Sequence, residues 1–413
     1  MNRRGARLAG SLLLLVVSVA LTLAVIEVGL RWFYPLGGEP DIHEFDPILG
    51  HHIRPNLDLV HIWDNHENVS RIQTNDVGLR NPPIPADKGR DEYRVLLLGD
   101  SYTFGYGVGA EDTFGSQLER RLNARGDGSR RFVVINAGVS AYGTAQELLQ
   151  YELLGRRFHP DLVILNFFVG NDIQDNLCLE LRSLRPTRRP PCFGLREGQL
   201  VQVSKPEGQV ETAPKPAGPL AKTLGSFRNL ELQKLIRQRG VPLLVETPSI
   251  VRLFSAVGLD VDPGYLPHVA AGWYSAPYAQ DGWALTRALI ERLQADVKAD
   301  GARLVVSVIP SRVQVLPKMR DLLPLLYPDA AEVAALRDDP TRPQRLLRAF
   351  FEARGIPGLD FMPSIVAEGN VSALYYPAIA HWSERGHAVA AAALDGFLAD
   401  SVIGRGKAGG PAS

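Results

Sequence analysis

Cysteine, net charge and long apolar runs are what this sequence has least of. Only Cys178 and Cys192 occur in 413 residues, so the chain can close at most one internal disulfide. The pair lies in a Pro/Arg-rich loop. In an oxidising compartment it can bridge for a gain of about 3 kcal/mol; two unpaired thiols are the other arrangement. Lys plus Arg and Asp plus Glu both number 45. That balance leaves no global basic field of the kind nucleic-acid binding requires, and no nucleic-acid partner is expected. There is no internal repeat. His51 and His52 are adjacent, so their side chains diverge, and His43, His61 and His66 show no zinc spacing. Neither a metal nor another cofactor is expected.

One apolar run stands out. Between Leu8 and Leu30 the sole charge is Glu27, and the stretch is long enough to span a bilayer as a helix. Arg3, Arg4 and Arg7 precede it and keep the N-terminus cytoplasmic by the positive-inside rule. Trp32, Phe33 and Tyr34 follow as an interfacial anchor. Ser18-Val19-Ala20 resembles a signal-peptide cleavage site, but the apolar run continues past it, which favours an uncleaved anchor. Glu27 lies one turn before Arg31 and is placed to pair with it at i,i+4. The rest of the chain is then expected outside the cytoplasm, periplasmic or otherwise extracytoplasmic.

The organisation follows from pattern. Residues 1–35 are the anchor. Residues 36–92, rich in turn formers and short alternating stretches, read as an irregular β-rich lead-in. From Tyr93 the rhythm becomes strand, helix, strand. RVLLLGD, FVVINAG and DLVILNFFVGND are nearly continuous apolar runs, as in strands buried on both faces. Helical stretches near 113–125 and 144–158 separate them, which argues for an α/β parallel sheet with right-handed crossovers. Residues from about 178 to 219 break the rhythm as an inserted loop. Helix-like stretches follow at Leu220–Arg239 and Asp281–Asp300. RLVVSVIP is a fourth strand, Arg342–Arg354 a helix, GLDF a short fifth strand and His387–Asp400 a closing helix. The α/β domain is read as 93–400, and residues 401–413 are a tail of disordered composition.

In open parallel sheets, ligands bind beyond the carboxyl ends of the strands. There the chain places Gly99-Asp100-Ser101, Asn136-Ala137-Gly138, Gly170-Asn171-Asp172 and Pro310-Ser311-Arg312. A serine at a strand-to-helix turn, an exposed glycine amide and an asparagine on one rim suit acyl transfer. Ser101 is the candidate nucleophile. The Ser101 and Gly138 amides and the Asn171 side chain are candidate oxyanion donors, each worth about 3 kcal/mol to a transition state. Asp100 and Asp172 are read as loop-stabilising acceptors of backbone N–H groups.

These stretches together resemble the SGNH (GDSL-type) hydrolase superfamily, in particular its membrane-anchored bacterial members. The resemblance rests on LLLGDSYTFGYGV, NAGVSAYGTAQE, FFVGNDIQDN and HWSERGH, with TNDVGLRNPP as lead-in, and runs from about Asn75 to Leu398. It implies a flavodoxin-like sheet of about five parallel strands, Ser101 as nucleophile, Gly138 and Asn171 in the oxyanion hole and His381 as general base. One position departs from the pattern. Members usually carry an aspartate two or three residues before the histidine, where this chain has Ile379 and Ala378. Three arrangements stand open: a backbone carbonyl orients the imidazole; a carboxylate such as Glu384 or Asp360 substitutes; or the site binds without turnover. His387 is read as packing within the closing helix.

The reading that follows is an exported, membrane-anchored serine esterase or O-acyltransferase for small acyl esters of cell-envelope or lipid-linked glycan. A non-catalytic glycan-binding or assembly protein is one alternative, and a lysophospholipase or thioesterase for longer chains another. Arg312 at the rim is placed to meet a carboxylate or phosphate. Trp273, Tyr274, Tyr278 and Trp283 are aromatic, but at near-helical spacing they favour a core or lid over a sugar platform. Arg182, Arg185, Arg188 and Arg189 favour a solvated flap.

Overall fold

The computed structural model describes residues 3–34, 40–63, 68–125, 129–177, 192–203, 230–235, 267–275, 278–327, 330–377 and 379–403. Four short strands come first: β1 (His43–Asp46) pairs antiparallel with β2 (Gly50–Ile53), and β3 (Asp58–Ile62) with β4 (Val69–Gln73). The main sheet then forms from β5 (Glu92–Gly99), β6 (Arg131–Asn136), β7 (Leu162–Phe168), and, after an intervening hairpin of β8 (Phe193–Arg196) and β9 (Gln199–Gln202), β10 (Arg303–Ile309) and β11 (Gly358–Asp360). Its order is β11-β10-β7-β5-β6, all parallel. This is the five-stranded α/β sheet expected from the sequence.

Period-two alternation explains why the strand sequences are apolar throughout. Val95 and Leu97 of β5 join Ile164 of β7 and Val305 of β10 on one face, against the helices Phe114–Arg125 and Glu384–Leu398. Leu96 and Leu98 join Val163, Leu165 and Val306 on the other, against Thr144–Leu153, Trp283–Ala299 and Arg342–Arg354. The chain moves from β5 outward to β6, then returns past β5 to β7. The direction of winding therefore reverses between β5 and β7, and such a switch point opens a crevice at the strands' carboxyl ends. Gly99 pairs with Asn166 there, so the loops carrying Ser101 and Asn171 leave the sheet side by side.

The lead-in shares a core with these loops. Ile42, Leu49, Ile53, Trp63 and Ile72 pack with Phe104 and Val108 from the loop after β5, Val139 and Tyr142 from the loop after β6, and Tyr376 and Ile379.

The structure refines several local expectations. The 144–158 stretch is an α-helix only to Leu153, followed by a 3-10 turn over Gly155–Phe158. The closing helix starts at Glu384 rather than His387, because the Ser383 side chain caps it by accepting from the Gly386 N–H at 3.4 Å. The insertion contains the β8–β9 hairpin, turned by Glu197 and Gly198, both at positive φ (51° and 78°), as a two-residue turn between twisted strands requires. Between β10 and Arg342 the structure adds three helices, Arg312–Val315, Pro317–Leu326 and Ala331–Asp338, that the strand-and-helix rhythm does not announce. Of the Leu220–Arg239 stretch only 230–235 is described, with Glu231–Leu235 helical. Cys192 is disulfide-bonded; Cys178, Arg182, Arg185, Arg188 and Arg189 lie outside the described residues. Of the 401–413 tail, 401–403 belong to a π-helical turn over Ala399–Ile403 that continues the closing helix, and 404–413 lie outside the described residues.

At the N-terminus, Arg3–Phe33 is one helix, and its segment Gly10–Phe33 is long and apolar enough to cross a membrane. Glu27 pairs with Arg31 at 2.6 Å, in keeping with their spacing. Its carboxylate also accepts the backbone N–H groups of Glu231 and Leu232, each at 3.0 Å.

Candidate active site

β5 ends in Gly99, where a Cβ would lie 2.1 Å from Thr103 Oγ1, so only glycine lets the next turn fold back this tightly. Asp100 caps that turn, accepting the Tyr102 N–H at 2.9 Å. Ser101 thereby becomes the first residue of the short helix Ser101–Phe104, where its N–H has no intrahelical acceptor. Arg80, 2% exposed, closes the helix's other end. Its Nη1 donates to the carbonyls of Phe104 (2.8 Å) and Gly105 (2.6 Å), and its Nη2 to that of Val108 (2.5 Å). A cation at the carbonyl end of a helix turn is electrostatically favourable, and burial lowers the pKa of this one only to about 10. Arg80 belongs to the TNDVGLRNPP stretch, whose pattern alone assigns it no such role.

His381 arrives from the far end of the chain on a tight hairpin. Tyr375 bridges Trp382, the Tyr376 N–H donates to the His381 carbonyl at 2.8 Å, and the Ser383 N–H to the Leu374 carbonyl at 2.9 Å. Within it Ala380 is left-handed (φ 61°), a conformation that costs an L-residue about 1–2 kcal/mol. That twist turns the Ile379 carbonyl back onto His381, 2.5 Å from Nδ1. Nε2 lies 2.8 Å from Ser101 Oγ. A carbonyl can only accept, so Nδ1 carries the proton and the bare Nε2 accepts from the Ser101 hydroxyl.

The carbonyl thus occupies the place an acid would fill. The two carboxylates considered as substitutes are engaged elsewhere. Glu384 accepts from Asn68 Nδ2 at 2.9 Å, and Asp360 from the Met362 N–H at 3.0 Å. Ile379 is more than a missing acid: its side chain is buried against Gly107, where a Cβ would lie 2.5 Å from Ile379 Cδ1. The imidazole sits between the rings of Tyr102 and Tyr106, with centroids at 4.9 and 4.8 Å. Burial pushes its pKa down to about 4; the Ile379 carbonyl opposes this and the Arg312 guanidinium adds to it.

Gly138 follows β6 and lies against the Ser101 helix, where a Cβ would be 2.2 Å from the Phe104 nitrogen. Its N–H donates to Asn136 Oδ1 at 3.0 Å, while Asn136 Nδ2 donates to the Thr103 carbonyl at 2.8 Å. Asn171 precedes the helix Asp172–Asn176. One N–H of its Nδ2 donates to Asp175 Oδ2 at 2.6 Å, which fixes the amide's orientation and leaves the second N–H of the same nitrogen.

Around this centre, Arg312 Nη1 donates to the Pro377 carbonyl at 2.9 Å, on the His381 hairpin. His387 is buried and accepts the Phe114 N–H at 3.2 Å. Trp273 is buried in the core, donating to the Val169 carbonyl at 2.8 Å and packing on Phe167 and Trp283. Among the described residues no three His, Cys, Asp or Glu side chains form a group able to hold a metal ion.

Beneath these loops lies a buried carboxyl cluster that no sequence pattern announces. Asp100, Glu147 and Asp172 are 1%, 0% and 0% exposed. Asp172 accepts the Phe168 N–H at 2.9 Å, whereas neither Glu147 oxygen has a hydrogen-bond partner among the described residues. Burial, then mutual repulsion, drives Glu147 and Asp172 well above the carboxylate range. Burial takes Asp100 up to about 7. Three such groups cannot all ionise in a low-dielectric interior.

A carboxyl raised this way stabilises the fold fully below its unfolded pKa, about 4, and loses that contribution as pH rises through the folded value. The fold is therefore expected to weaken from about pH 4 upward, up to about pH 7 on account of Asp100 and further on account of Glu147 and Asp172. Replacing Glu147 by Gln should flatten the fall of Tm between pH 6 and 9, as read by thermal melts across that range. Equal slopes for the two proteins would show that the cluster does not titrate with folding.

This geometry can be set beside known proteins. None of the curated proteins matches the chain. Among solved structures, a GDSL-like lipase from Bacteroides thetaiotaomicron aligns at 11% identity over 77% of this chain and 93% of its own, with a TM-score of 0.34. A lipase/acylhydrolase from Enterococcus faecalis aligns at 12% identity over 74% and 95%, with a TM-score of 0.35. A catalytic mutant of an acetylxylan esterase from Geobacillus stearothermophilus aligns at 11% identity over 74% and 94%, with a TM-score of 0.36. The model of the GDSL-like lipase/acylhydrolase family matches residues 97–389, from the middle of β5 into the closing helix. The chain belongs to that family.

Proposed function

We propose that this chain is a membrane-anchored serine esterase or O-acyltransferase that works through a Ser101–His381 dyad on small acyl esters of cell-envelope or lipid-linked glycan. In this reading residues 93–400 form the catalytic domain, carried outside the cytoplasm by the N-terminal helix. The observation that carries it is one pair of distances: Ser101 Oγ to Nε2 at 2.8 Å and Ile379 O to Nδ1 at 2.5 Å.

Nε2 takes the Ser101 proton as Oγ attacks the ester carbonyl. The oxyanion of the tetrahedral intermediate meets the Ser101 N–H, the second Asn171 N–H, and the Gly138 N–H shared with Asn136. Collapse passes the proton from His381 to the departing alkoxide. Water then releases the acyl group, or a second alcohol takes it. In the trypsin-like triad described for serine proteases, replacing the aspartate by asparagine costs about 10⁴ because the wrong tautomer results. Here the carbonyl enforces the right tautomer, so only the charge stabilisation of the imidazolium is forgone.

Non-catalytic binding is the second reading, favoured by the absent acid and by the engagement of the Gly138 N–H. Labelling full-length protein in detergent with a fluorophosphonate probe separates the two. Wild type should label, and Ser101→Ala and His381→Ala should lose at least about 10³ of the rate. No labelling of folded wild type supports the binding reading. A series of p-nitrophenyl esters should favour acetate; preference for long chains points to a lipid substrate.

The depressed histidine sets the pH profile. A base must be neutral, and His381 stays neutral down to about pH 4. The acid limb of kcat/KM should therefore fall well below the ordinary histidine value, and Arg312→Gln should move it upward. A limb near pH 6.5 in wild type, the ordinary histidine value, removes the buried-base account.

A further inference from the structure

We propose that Asn68, a lead-in residue outside the family-matched segment 97–389, is the positioning residue that holds the His381 hairpin in register with the Ser101 loop. The inference rests on the dyad reading. The bonds within the hairpin fix its shape and so the Ile379–Nδ1 contact, but they do not fix where the hairpin sits relative to Ser101. That distance needs a tie between two loops that are remote in sequence.

Asn68 supplies it at the start of β4. Its Oδ1 accepts the adjacent Val69 N–H at 2.8 Å, which turns the NH₂ inward. From there Nδ2 lies 2.9 Å from each of three acceptors: the Gly107 carbonyl, Tyr376 Oη and Glu384 Oε1. Gly107 belongs to the Ser101 loop. Tyr376 is on the strand of the hairpin that leads into His381, and Glu384 opens the helix that follows it. Tyr376 is also hydrogen-bonded to Glu384, so one nitrogen and its three acceptors join both sides of the dyad.

The same turn makes a second contact. The Trp63 N–H donates to the Asn68 carbonyl at 2.9 Å. The Trp63 ring meets Tyr106 at 4.3 Å, and Tyr106 covers His381 at 4.8 Å. The β3–β4 hairpin therefore sets both the placement of the histidine and the enclosure that keeps its pKa low. Charge reaches His381 from Arg312, while His387 is itself lowered by burial, then by Arg80 and His381; Asn68 carries none, so its effect on the titration is through position and solvation.

The test uses full-length protein in detergent with p-nitrophenyl acetate, comparing wild type with Asn68→Ala, Glu384→Gln and Ser101→Ala. For Asn68→Ala, kcat should drop at least tenfold while KM stays within threefold. The acid limb should also rise toward the ordinary histidine value as the hairpin loosens and water reaches the ring. Glu384→Gln, which leaves the β3–β4 turn intact, should shift both quantities in the same direction by less, and its loss should not add to that of Asn68→Ala. If Asn68→Ala fails to fold, Glu384→Gln alone decides. Wild-type kcat and acid limb in the folded variants, beside an inactive Ser101→Ala, overturn the positioning role and leave the dyad standing. A kcat loss that follows Tm with no movement of the acid limb also overturns it, leaving a structural tie only. Full activity in Ser101→Ala overturns the dyad, and this role with it.

Discussion

A single backbone carbonyl carries the orientation of the histidine. The Ile379 carbonyl reaches Nδ1 because Ala380 is left-handed, and Ala380 is held there by bonds on both sides. Its N–H donates to the Tyr376 carbonyl at 3.0 Å, and its own carbonyl accepts from Tyr102 Oη at 3.1 Å. Strain of about 1–3 kcal/mol persists only where the surroundings over-determine it, and these bonds, with the Ile379 side chain against Gly107, do so. The apolar residue at the acid's usual place is thus an anchor for a polar group of its own main chain.

The arrangement shapes the electrostatics around it. A carbonyl dipole orients an imidazole as well as a carboxylate does but stabilises the imidazolium less. A shift from 6.5 to about 4 corresponds to about 3 kcal/mol against the charged ring. The buried carboxyls gain meaning in that context. Asp100 and Asp172 adjoin Ser101 and Asn171 in the chain. Were they and Glu147 all ionised, their field would oppose the oxyanion that the proposed mechanism forms between those loops. Burial favours their neutral forms, and Asp100 and Asp172 hold the loops by accepting the Tyr102 and Phe168 N–H groups.

Much of this is legible in the sequence, for identifiable reasons. The sheet strands are plain because both faces are buried, which forces near-continuous apolar runs such as RVLLLG and LVILNFF. Ser101 stands out because it follows Gly-Asp at a strand exit while a Gly and an Asn sit at the neighbouring exits, a combination that turn chemistry alone seldom produces. The partner of His381 does not, because a main-chain carbonyl has no residue-type signature and alanine gives no hint of a left-handed turn. Arg80 and Glu147 are hidden for a related reason: nothing local says that a charged residue will be buried, and only the packed fold decides it. Asn68 meets Tyr376 across 308 residues, a separation at which one sequence carries no pairing information.

The order of elements along the chain couples the membrane-length helix to the site. That helix ends at Phe33, and the first strand of the lead-in begins at His43, about ten residues later, a span of no more than about 35 Å even when fully extended. From there the lead-in sends Trp63 against Tyr106, Arg80 under the Ser101 helix and Asn68 between the two loops of the dyad. A segment that served only as a spacer would have no need to bury an arginine at 2% exposure, where desolvation works against it and three well-placed carbonyls must compensate. That burial makes sense if the lead-in is part of the catalytic scaffold. The same stretch of chain then both follows the membrane-length helix and, in the positioning role proposed for Asn68, sets the distance between Ser101 and His381.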